Sequence, residues 1–225
     1  MRPRVLAVMG CTRGPAYESI TTLQIALHYA KGKDGIEGAM LLTTASSSAF
    51  IGAQHVIDIF LKHTNFTHLM ITGDDVWHPE NTISKLISDD KDIVSGIYWM
   101  RNKERKKLAL YIDDSENVDE YLSKGSLIRS PYSSGHTLTI KRTVVETLTK
   151  LHPELNVVVE DGSTQCYLFF PFIEDGKLYL DDWAFSKRAT AAGFECWLDF
   201  GVQLKHKTEE WLEIGKKEDA KDGRD

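Results

Sequence analysis

The stretch Thr67–Val76 reads THLMITGDDV, a short apolar run that ends in two adjacent carboxylates, Asp74 and Asp75. Such a run predicts a buried strand that carries both charges to its carboxyl end. Unpaired carboxylates are costly to bury, so the pair indicates a nearby cation. The residues alone leave one alternative open, which is a turn that caps a helix after Pro79.

The chain on both sides of this stretch alternates strand and helix patterns. Gly32 and Gly35 are expected to end the first helix, and the serines Ser46–Ser48 are expected to start the second. Apolar runs and helical spacing predict further strands at 5–9, 38–42 and 92–98, and helices over 19–30, around 56–61 and over 79–87. This βαβα order predicts a mainly parallel sheet covered by helices on both faces.

A second acidic motif lies in the other half of the chain, where Asp181–Phe185 reads DDWAF after the apolar run Leu178–Leu180. The motif opens a helix that is predicted to end at Gly193. Two acidic sites and a late histidine, His206, each fall at the edge of a predicted strand, and this arrangement indicates a metal-dependent transferase. The same patterns predict strands at 136–140 and 194–198 and a helix over 143–151.

The composition is that of an ordinary globular protein, with 225 residues, 42% hydrophobic content and a net charge of −6. It predicts a single domain over 1–212 with a charged, flexible tail over 213–225, and argues against a non-specific nucleic-acid binder. Cys11, Cys166 and Cys196 form no CxxC pair, which favours a reducing cytoplasm over a disulfide or zinc framework. No apolar run approaches membrane-spanning length.

The motifs share their order and spacing with a known class of enzymes. His68–Val76 resembles the DxD region of GT-A glycosyltransferases, especially family 2-like enzymes of bacteria, phages and large viruses. Gly135–Arg142 is similar to a strand and basic pair of those proteins, and Tyr179–Phe185 resembles the start of their ED-containing helix. His206 falls where many members place a metal-binding histidine, and the resemblance extends from Val5 to this position.

The resemblance implies a GT-A fold, an α/β architecture with a mainly parallel mixed sheet flanked by helices. It implies transfer of a sugar from a nucleotide sugar, preferably a UDP-sugar, to the hydroxyl of a glycan or another acceptor. A divalent cation, Mn²⁺ or Mg²⁺, would be held by Asp75 and His206. Asp182 would be the catalytic base of an inverting displacement, and Asp181 would shape the acceptor pocket or hold Asp182. The donor would be bound by Thr12, Arg13, Asp74, Asp75 and Trp183.

The chain departs from the family pattern at three positions. Gly73 stands where relatives carry the first acid of the DxD, which puts the contacts of that acid in question unless Asp74 supplies them. Asp181 replaces the commoner glutamate of the ED pair, and Gln54 stands where relatives often carry an arginine. These departures keep open a non-catalytic nucleotide-sugar or glycan-binding module as an alternative function.

Each candidate residue also has an ordinary alternative. In these alternatives, His206 is a surface histidine between two lysines, and Asp182 is an N-terminal helix cap. Thr12 and Arg13 then belong to an ordinary surface loop. Trp183, Tyr98 and Trp99 have rings suited to stacking on sugar faces, and core packing is the alternative for Tyr98. A nucleotidyltransferase is a further alternative, although it would need a Gly-rich basic loop that residues 10–14 match poorly. The acceptor stays open between a glycan, a protein-linked sugar and a modified DNA base, and the expected location is the cytoplasm, that of the host if the protein is viral.

Overall fold

The computed structural model describes residues 2–11, 16–44, 49–99, 108, 112, 117–160, 162–207 and 211–212. The predictions for Thr12 and Arg13, for the serines 46–48 and for the tail 213–225 lie outside the described residues. None of the helices in these ranges is long and apolar enough to span a bilayer.

The first part of the chain alternates strands and helices as predicted. Gly32 lies inside the first helix, and Gly35 ends it, with a φ of 65° and an N–H that donates to the carbonyl of Ala30. The prediction that Gly32 breaks the helix is wrong, because a helix interior tolerates glycine at a cost of about 1 kcal/mol. The elements are β1 (Arg4–Cys11), α1 (Tyr17–Asp34), β2 (Glu37–Thr44), α2 (Ala49–Lys62) and β3 (His68–Gly73).

The chain after β3 forms β4 (Val76–Trp77), α3 (Thr82–Ser88) and β5 (Ile93–Ile97). The helix predicted from Pro79 starts at Thr82 instead. The backbone N–H and the hydroxyl of Thr82 both donate to the carbonyl of Pro79, at 3.1 and 2.7 Å. This turn takes up the Pro79 carbonyl before the helix begins.

The second half combines strands, hairpins and helices. The predicted elements at 136–140, 143–151 and 182–192 are present within one residue of their expected start. The strand predicted at 194–198 starts at Cys196 and extends to Gln203. The elements are α4 (Val118–Lys124), β6 (Leu127–Ser130), β7 (Thr137–Lys141), α5 (Arg142–Leu151), β8 (Asn156–Val158), β9 (Thr164–Cys166), β10 (Phe172–Glu174), β11 (Lys177–Tyr179), α6 (Asp181–Ala191), β12 (Cys196–Gln203), β13 (Lys205–Lys207) and β14 (Trp211–Leu212).

The central sheet has seven strands in the order β2-β1-β3-β7-β5-β12-β6. Strands β2, β1, β3, β5 and β12 run in one direction, and β7 and β6 run in the other. The sheet is therefore mainly parallel, as predicted, but the antiparallel insertion of β7 between β3 and β5 does not follow from the βαβα pattern. Its position depends on pairing between segments that are distant in sequence.

Helices cover both faces of the sheet. The side chains of β1 alternate, so Leu6 and Val8 pack in the core formed with α2, α5 and α6, whereas Val5, Ala7 and Met9 pack in the core formed with α1 and α3. This alternation is the period of a strand that is buried on both faces.

One edge of the sheet collects the ends of several elements. Since β7 is antiparallel to β3 and β5, its amino end lies beside their carboxyl ends, and Thr137 pairs with Thr72 in this register. A second sheet has three strands in the order β14-β13-β4, and its strand β4 is the next element after β3 along the chain. Ligand sites of α/β proteins lie outside the carboxyl ends of parallel strands, so this edge is where a site is expected.

Candidate active site

Three metal-ligating side chains meet at this edge. Asp75 lies in the turn after β3, His136 immediately precedes β7, and His206 is the central residue of β13. One ligand atom from each lies within 4.8 Å of the other two. His206 is only 4% exposed, so its alternative interpretation as a surface histidine is wrong.

Strand pairing holds Asp75 and His206 next to each other. His206 is opposite Val76 in the antiparallel pair of β13 and β4, and the N–H of Lys207 donates to the carbonyl of Asp75 at 2.8 Å. Asp74 and Asp75 form the turn between β3 and β4, whereas α3 does not begin until Thr82. The alternative in which the acidic pair caps a helix is therefore wrong.

A hydrogen bond decides which nitrogen of His206 carries a proton. Nδ1 lies 3.2 Å from the carbonyl oxygen of Trp99. A carbonyl only accepts, so Nδ1 is the donor and the lone pair of the neutral ring is on Nε2. Nε2 lies 3.4 Å from Oδ2 of Asp75. Two acceptors facing each other require a positive charge between them, either a proton or a metal cation.

His136 is held through both its ring and its backbone. Its Nδ1 lies 2.9 Å from the hydroxyl of Tyr98, and its carbonyl accepts from the hydroxyl of Thr72 at 2.9 Å. The Thr72 hydroxyl also lies 2.9 Å from Nε2 of His78. Burial lowers the pKa of His78 to about 3, so this imidazole is neutral and its N–H can donate to Thr72. The chain of contacts fixes the amino end of β7, where His136 lies.

Tyr98 packs against both histidines. Its ring centroid lies 4.6 Å from that of His136 and 5.2 Å from that of His206. Burial raises the pKa of Tyr98, and the negative charge of Asp182 raises it further. Tyr98 therefore stays a neutral phenol, and it lies near enough to Asp182 for that charge to act on its pKa.

Asp182 is a partly buried carboxyl group in the first turn of α6. Burial raises its pKa to about 6, and the charge of Asp181 acts in the same direction, whereas hydrogen bonds from the N–H groups of Trp183 and Gly135 oppose the shift. Gly135 is needed for this approach, because a Cβ at this position would lie 3.0 Å from Oδ2 of Asp182. A carboxyl group with this pKa is suited to accept a proton near neutral pH.

Asp181 adopts an unusual backbone conformation for a residue with a side chain. Its φ is 25°, and burial raises the pKa of its carboxyl group. Backbone in sparsely populated regions costs about 1–3 kcal/mol and persists where the surrounding structure enforces it, often at functional sites. The strain lies directly before Asp182, where it sets the direction of the first turn of α6.

Trp183 is 41% exposed and stacks on Tyr132, with ring centroids 4.5 Å apart and an interplanar angle of 9°. The two parallel rings form a rigid aromatic surface at the start of α6. Such a surface suits the apolar C–H face of a sugar.

Asp74 faces a different part of the edge from Asp75. Its carbonyl accepts from the N–H of Ala16 at 2.9 Å, and its charge adds to burial in raising the pKa of Cys11 at the end of β1. Asp74 thus lies near Cys11 and Ala16, whereas Thr12 and Arg13 are outside the described residues.

The sequence interpretation missed His136 and the hydrogen bond of Tyr98 to it. His136 stands at the beginning of a predicted strand, as Asp75 stands at the end of one. Polar residues at strand ends were chosen as candidates, and His136 meets that criterion. It was missed because the sequence does not show that β7 is antiparallel, which brings the beginning of this strand beside the ends of β3 and β5.

Comparison with known proteins identifies the fold. No protein-family model and no curated protein matches the chain. A197 from STIV superposes with a TM-score of 0.56 at 16% identity, over 95% of this chain and 90% of that chain. GalNAc-T7 in complex with UDP, GalNAc and Mn²⁺ superposes with a TM-score of 0.50 at 11% identity, over 98% of this chain and 46% of that chain. The expected α/β fold of the GT-A type, with a mainly parallel mixed sheet flanked by helices, is confirmed.

Proposed function

We propose that the protein is a metal-dependent glycosyltransferase that moves a sugar from a UDP-sugar to an acceptor hydroxyl in a single inverting displacement. One observation carries the proposal: Asp182, a partly buried carboxyl group whose pKa is raised to about 6, follows Asp181 in α6 and lies beside Gly135, which precedes His136. The GT-A fold and the UDP and Mn²⁺ of GalNAc-T7 support this assignment at the level of fold.

The donor set fits a divalent cation. Asp75 and His206 would hold it, because carboxylate oxygen and imidazole nitrogen are both accepted by Mn²⁺. The lone pair on Nε2 of His206 faces Asp75 at 3.4 Å, so a cation relieves the repulsion between two acceptors. When bound, the cation neutralises the charge that develops on the leaving diphosphate.

Asp182 would take the proton of the acceptor hydroxyl. As the acceptor oxygen forms its bond to the anomeric carbon, the bond from that carbon to the diphosphate oxygen breaks and the proton passes to the carboxylate of Asp182. The N–H groups of Trp183 and Gly135 orient the carboxylate. Asp181 raises the basicity of its neighbour and, in this proposal, borders the acceptor pocket.

The remaining predicted residues would bind the donor and acceptor. The aromatic surface of Trp183 and Tyr132 would receive a sugar ring. Asp74, in the turn after β3, would contact the nucleotide together with Thr12 and Arg13. The proposed acceptor is a glycan or another hydroxyl compound, including a modified DNA base.

An assay of sugar transfer tests the proposal. We expect Mn²⁺-dependent transfer from one member of a UDP-sugar panel, and a kcat lower by about 10²–10⁴-fold in Asp182→Asn with donor binding retained. Asp119→Asn is a matched control, because Asp119 is an exposed acid in the first turn of α4. Asp182→Asn turning over at the parent rate would remove Asp182 from the mechanism.

The same assay separates other activities. A protein that binds UDP-sugars without hydrolysis or transfer is a binding module. One that releases pyrophosphate from a nucleoside triphosphate and a sugar phosphate is a nucleotidyltransferase. Either result would overturn the proposed reaction.

A further inference from the structure

We propose that His136 is a third protein ligand of the cation and that it occupies the space which an acid at position 73 would need. The inference deepens the proposed function and rests on it for the role of the cation in donor binding. It goes beyond the family resemblance, which points to Asp75 and His206 and treats Gly73 as a missing ligand.

The first argument is steric. A Cβ at Gly73 would lie 3.1 Å from Cδ2 of His136 and 3.0 Å from Oδ1 of Asp75. Both distances are shorter than an ordinary carbon contact, which begins at about 3.5 Å. A side chain at position 73 and the imidazole of His136 therefore compete for the same volume. Gly73 permits the imidazole of His136 to approach Asp75. This imidazole, which immediately precedes β7, takes the place of a carboxylate at position 73, the end of β3.

The second argument concerns proton positions. The hydroxyl of Tyr98 lies 2.9 Å from Nδ1 of His136, and a phenol can either donate or accept. When Nδ1–H donates to Tyr98, the lone pair of the ring is on Nε2, which is the arrangement that a metal ligand requires. In His206 the carbonyl of Trp99 imposes the same arrangement.

The third argument is the convergence of acceptors. A ring nitrogen of His136, a ring nitrogen of His206 and a carboxylate oxygen of Asp75 lie within 4.8 Å of one another. The rings of His136 and His206 also contact directly, with centroids 4.9 Å apart. Three acceptors gathered in a half-buried site repel one another, and a cation at their centre converts this repulsion into coordination.

The ligand set predicts which cation is bound. Imidazole suits Mn²⁺, Co²⁺ and other transition ions, whereas Mg²⁺ prefers oxygen ligands. Two imidazoles and one carboxylate also leave a divalent ion with a net positive charge, which two carboxylates would cancel. We expect the site to prefer Mn²⁺ or Co²⁺ over Mg²⁺, and its residual charge to attract the diphosphate of the donor.

Direct metal titration tests the ligand assignment without any activity assay. Calorimetry with Mn²⁺ and visible absorption with Co²⁺ give affinities for the full chain. His136→Gln should weaken both by at least about tenfold. Tyr98→Phe removes the acceptor that positions Nδ1–H and should weaken binding by about tenfold. His152→Ala is the matched control, because His152 pairs with the exposed Glu154 and should leave both affinities unchanged.

An exchange of ligands tests the steric argument. Gly73→Asp alone should weaken Mn²⁺ binding, because the new side chain displaces His136. Adding His136→Gly should restore binding and move the preference from Mn²⁺ towards Mg²⁺. Melting temperatures in EDTA verify that each variant is folded. A Gly73→Asp protein that binds Mn²⁺ more tightly than the parent would overturn the argument from space.

A failure of the His136 assignment can be distinguished from a failure of the proposed function. If His136→Gln binds Mn²⁺ as the parent does while Asp75→Ala does not bind it, His136 is not a ligand and the proposed transferase stands. If the parent binds Mn²⁺ through all three residues but transfers sugar from no donor, the proposed function fails and the metal site stands.

Discussion

At the scale of single residues, the two adjacent acids of α6 differ through their surroundings. Asp182 accepts two backbone N–H groups yet has a pKa of about 6, because burial and the charge of Asp181 outweigh those hydrogen bonds. The native state therefore bears a cost whenever Asp182 is ionised. A neutral residue at this position would avoid that cost, and a perturbed carboxyl group of this kind is what the proposed role of Asp182 as a base requires.

This cost predicts a pH-dependent effect of Asp182→Asn on stability. The pKa of Asp182 is about 6 in the native state and about 3.9 in an unfolded chain. Below both values the residue is protonated in both states and the substitution has little effect. Above both values only the native state bears the penalty, so Asp182→Asn should raise the free energy of unfolding by about 1–3 kcal/mol. Urea denaturation at pH 4 and pH 8 measures this difference, and a variant less stable than the parent at pH 8 contradicts it.

A second prediction at this scale concerns Asp75. Asp75→Ala removes the only carboxylate of the proposed metal site formed by Asp75, His136 and His206. We expect this variant to bind UDP at least about tenfold more weakly than the parent in the presence of Mn²⁺. Calorimetry with UDP in Mn²⁺ and in EDTA measures the effect. Asp119→Asn is the matched control, because Asp119 is an exposed acid in the first turn of α4 and should leave UDP binding unchanged. Equal UDP affinity of the parent in Mn²⁺ and in EDTA would show that the metal assignment is wrong.

At the scale of elements, Arg142 connects two helices behind the site. It begins α5, and its guanidinium donates to the carbonyls of Phe60 and His63 at the end of α2, at 2.8 and 2.7 Å. The guanidinium also lies 4.2 Å from the centre of the Phe60 ring. Arg142, the second residue of the basic pair in the stretch Gly135–Arg142, thus has a structural role. It donates to the last carbonyls of a helix, which have no partner within the helix itself.

Arg142→Ala should destabilise the protein by about 2–4 kcal/mol, because several charge-assisted hydrogen bonds are lost together. Arg142→Lys should recover less than half of this loss, since an ammonium group lacks the planar fork. Chemical denaturation measures both variants, and their Mn²⁺ affinity should equal that of the parent. A lysine variant as stable as the parent would mean that charge alone is sufficient.

At the scale of the whole molecule, an ion network joins α3 to the central sheet. Asp199 of β12 is fully buried, and Nζ of Lys85 lies 2.8 Å from its Oδ2 and 2.6 Å from Oδ1 of Asp89. The lysine thus compensates a buried carboxylate in the strand next to β5. Because β12 pairs with β5, which leads to Tyr98 and Trp99, this network supports a strand that reaches the site.

Lys85→Met should destabilise the protein by about 3–5 kcal/mol, because it leaves Asp199 buried without its cation. Adding Asp199→Asn should recover part of the loss by removing the charge. The exposed pair of Lys62 and Asp58 provides the control, and Lys62→Met should cost less than about 1 kcal/mol. If both lysine variants lose equal stability, burial of Asp199 is not the cause.

Local patterns in the sequence were enough for most of the fold. The apolar runs of β1 and β3 and the helical spacing of α1 and α5 depend on neighbouring residues, so their periodicity shows them directly. The predicted helix boundaries at Gly32 and Pro79 were wrong, because hydrogen bonds to particular carbonyls decide where those helices end and begin. The same local reasoning placed Asp75 and Asp182 at element edges, whereas His206, which was expected at the edge of a strand, is the central residue of β13.

The sequence by itself determined which polar groups stand at the ends of strands and helices. Only the tertiary structure decided which of those groups meet. Asp75, His136 and His206 are distant in sequence, and they converge because β7 is antiparallel between β3 and β5 and because β13 pairs with β4. The raised pKa of Asp182 likewise arises from burial and from charges that only packing brings near. Strand register and desolvation are properties of the assembled chain, and no local pattern of residues contains them.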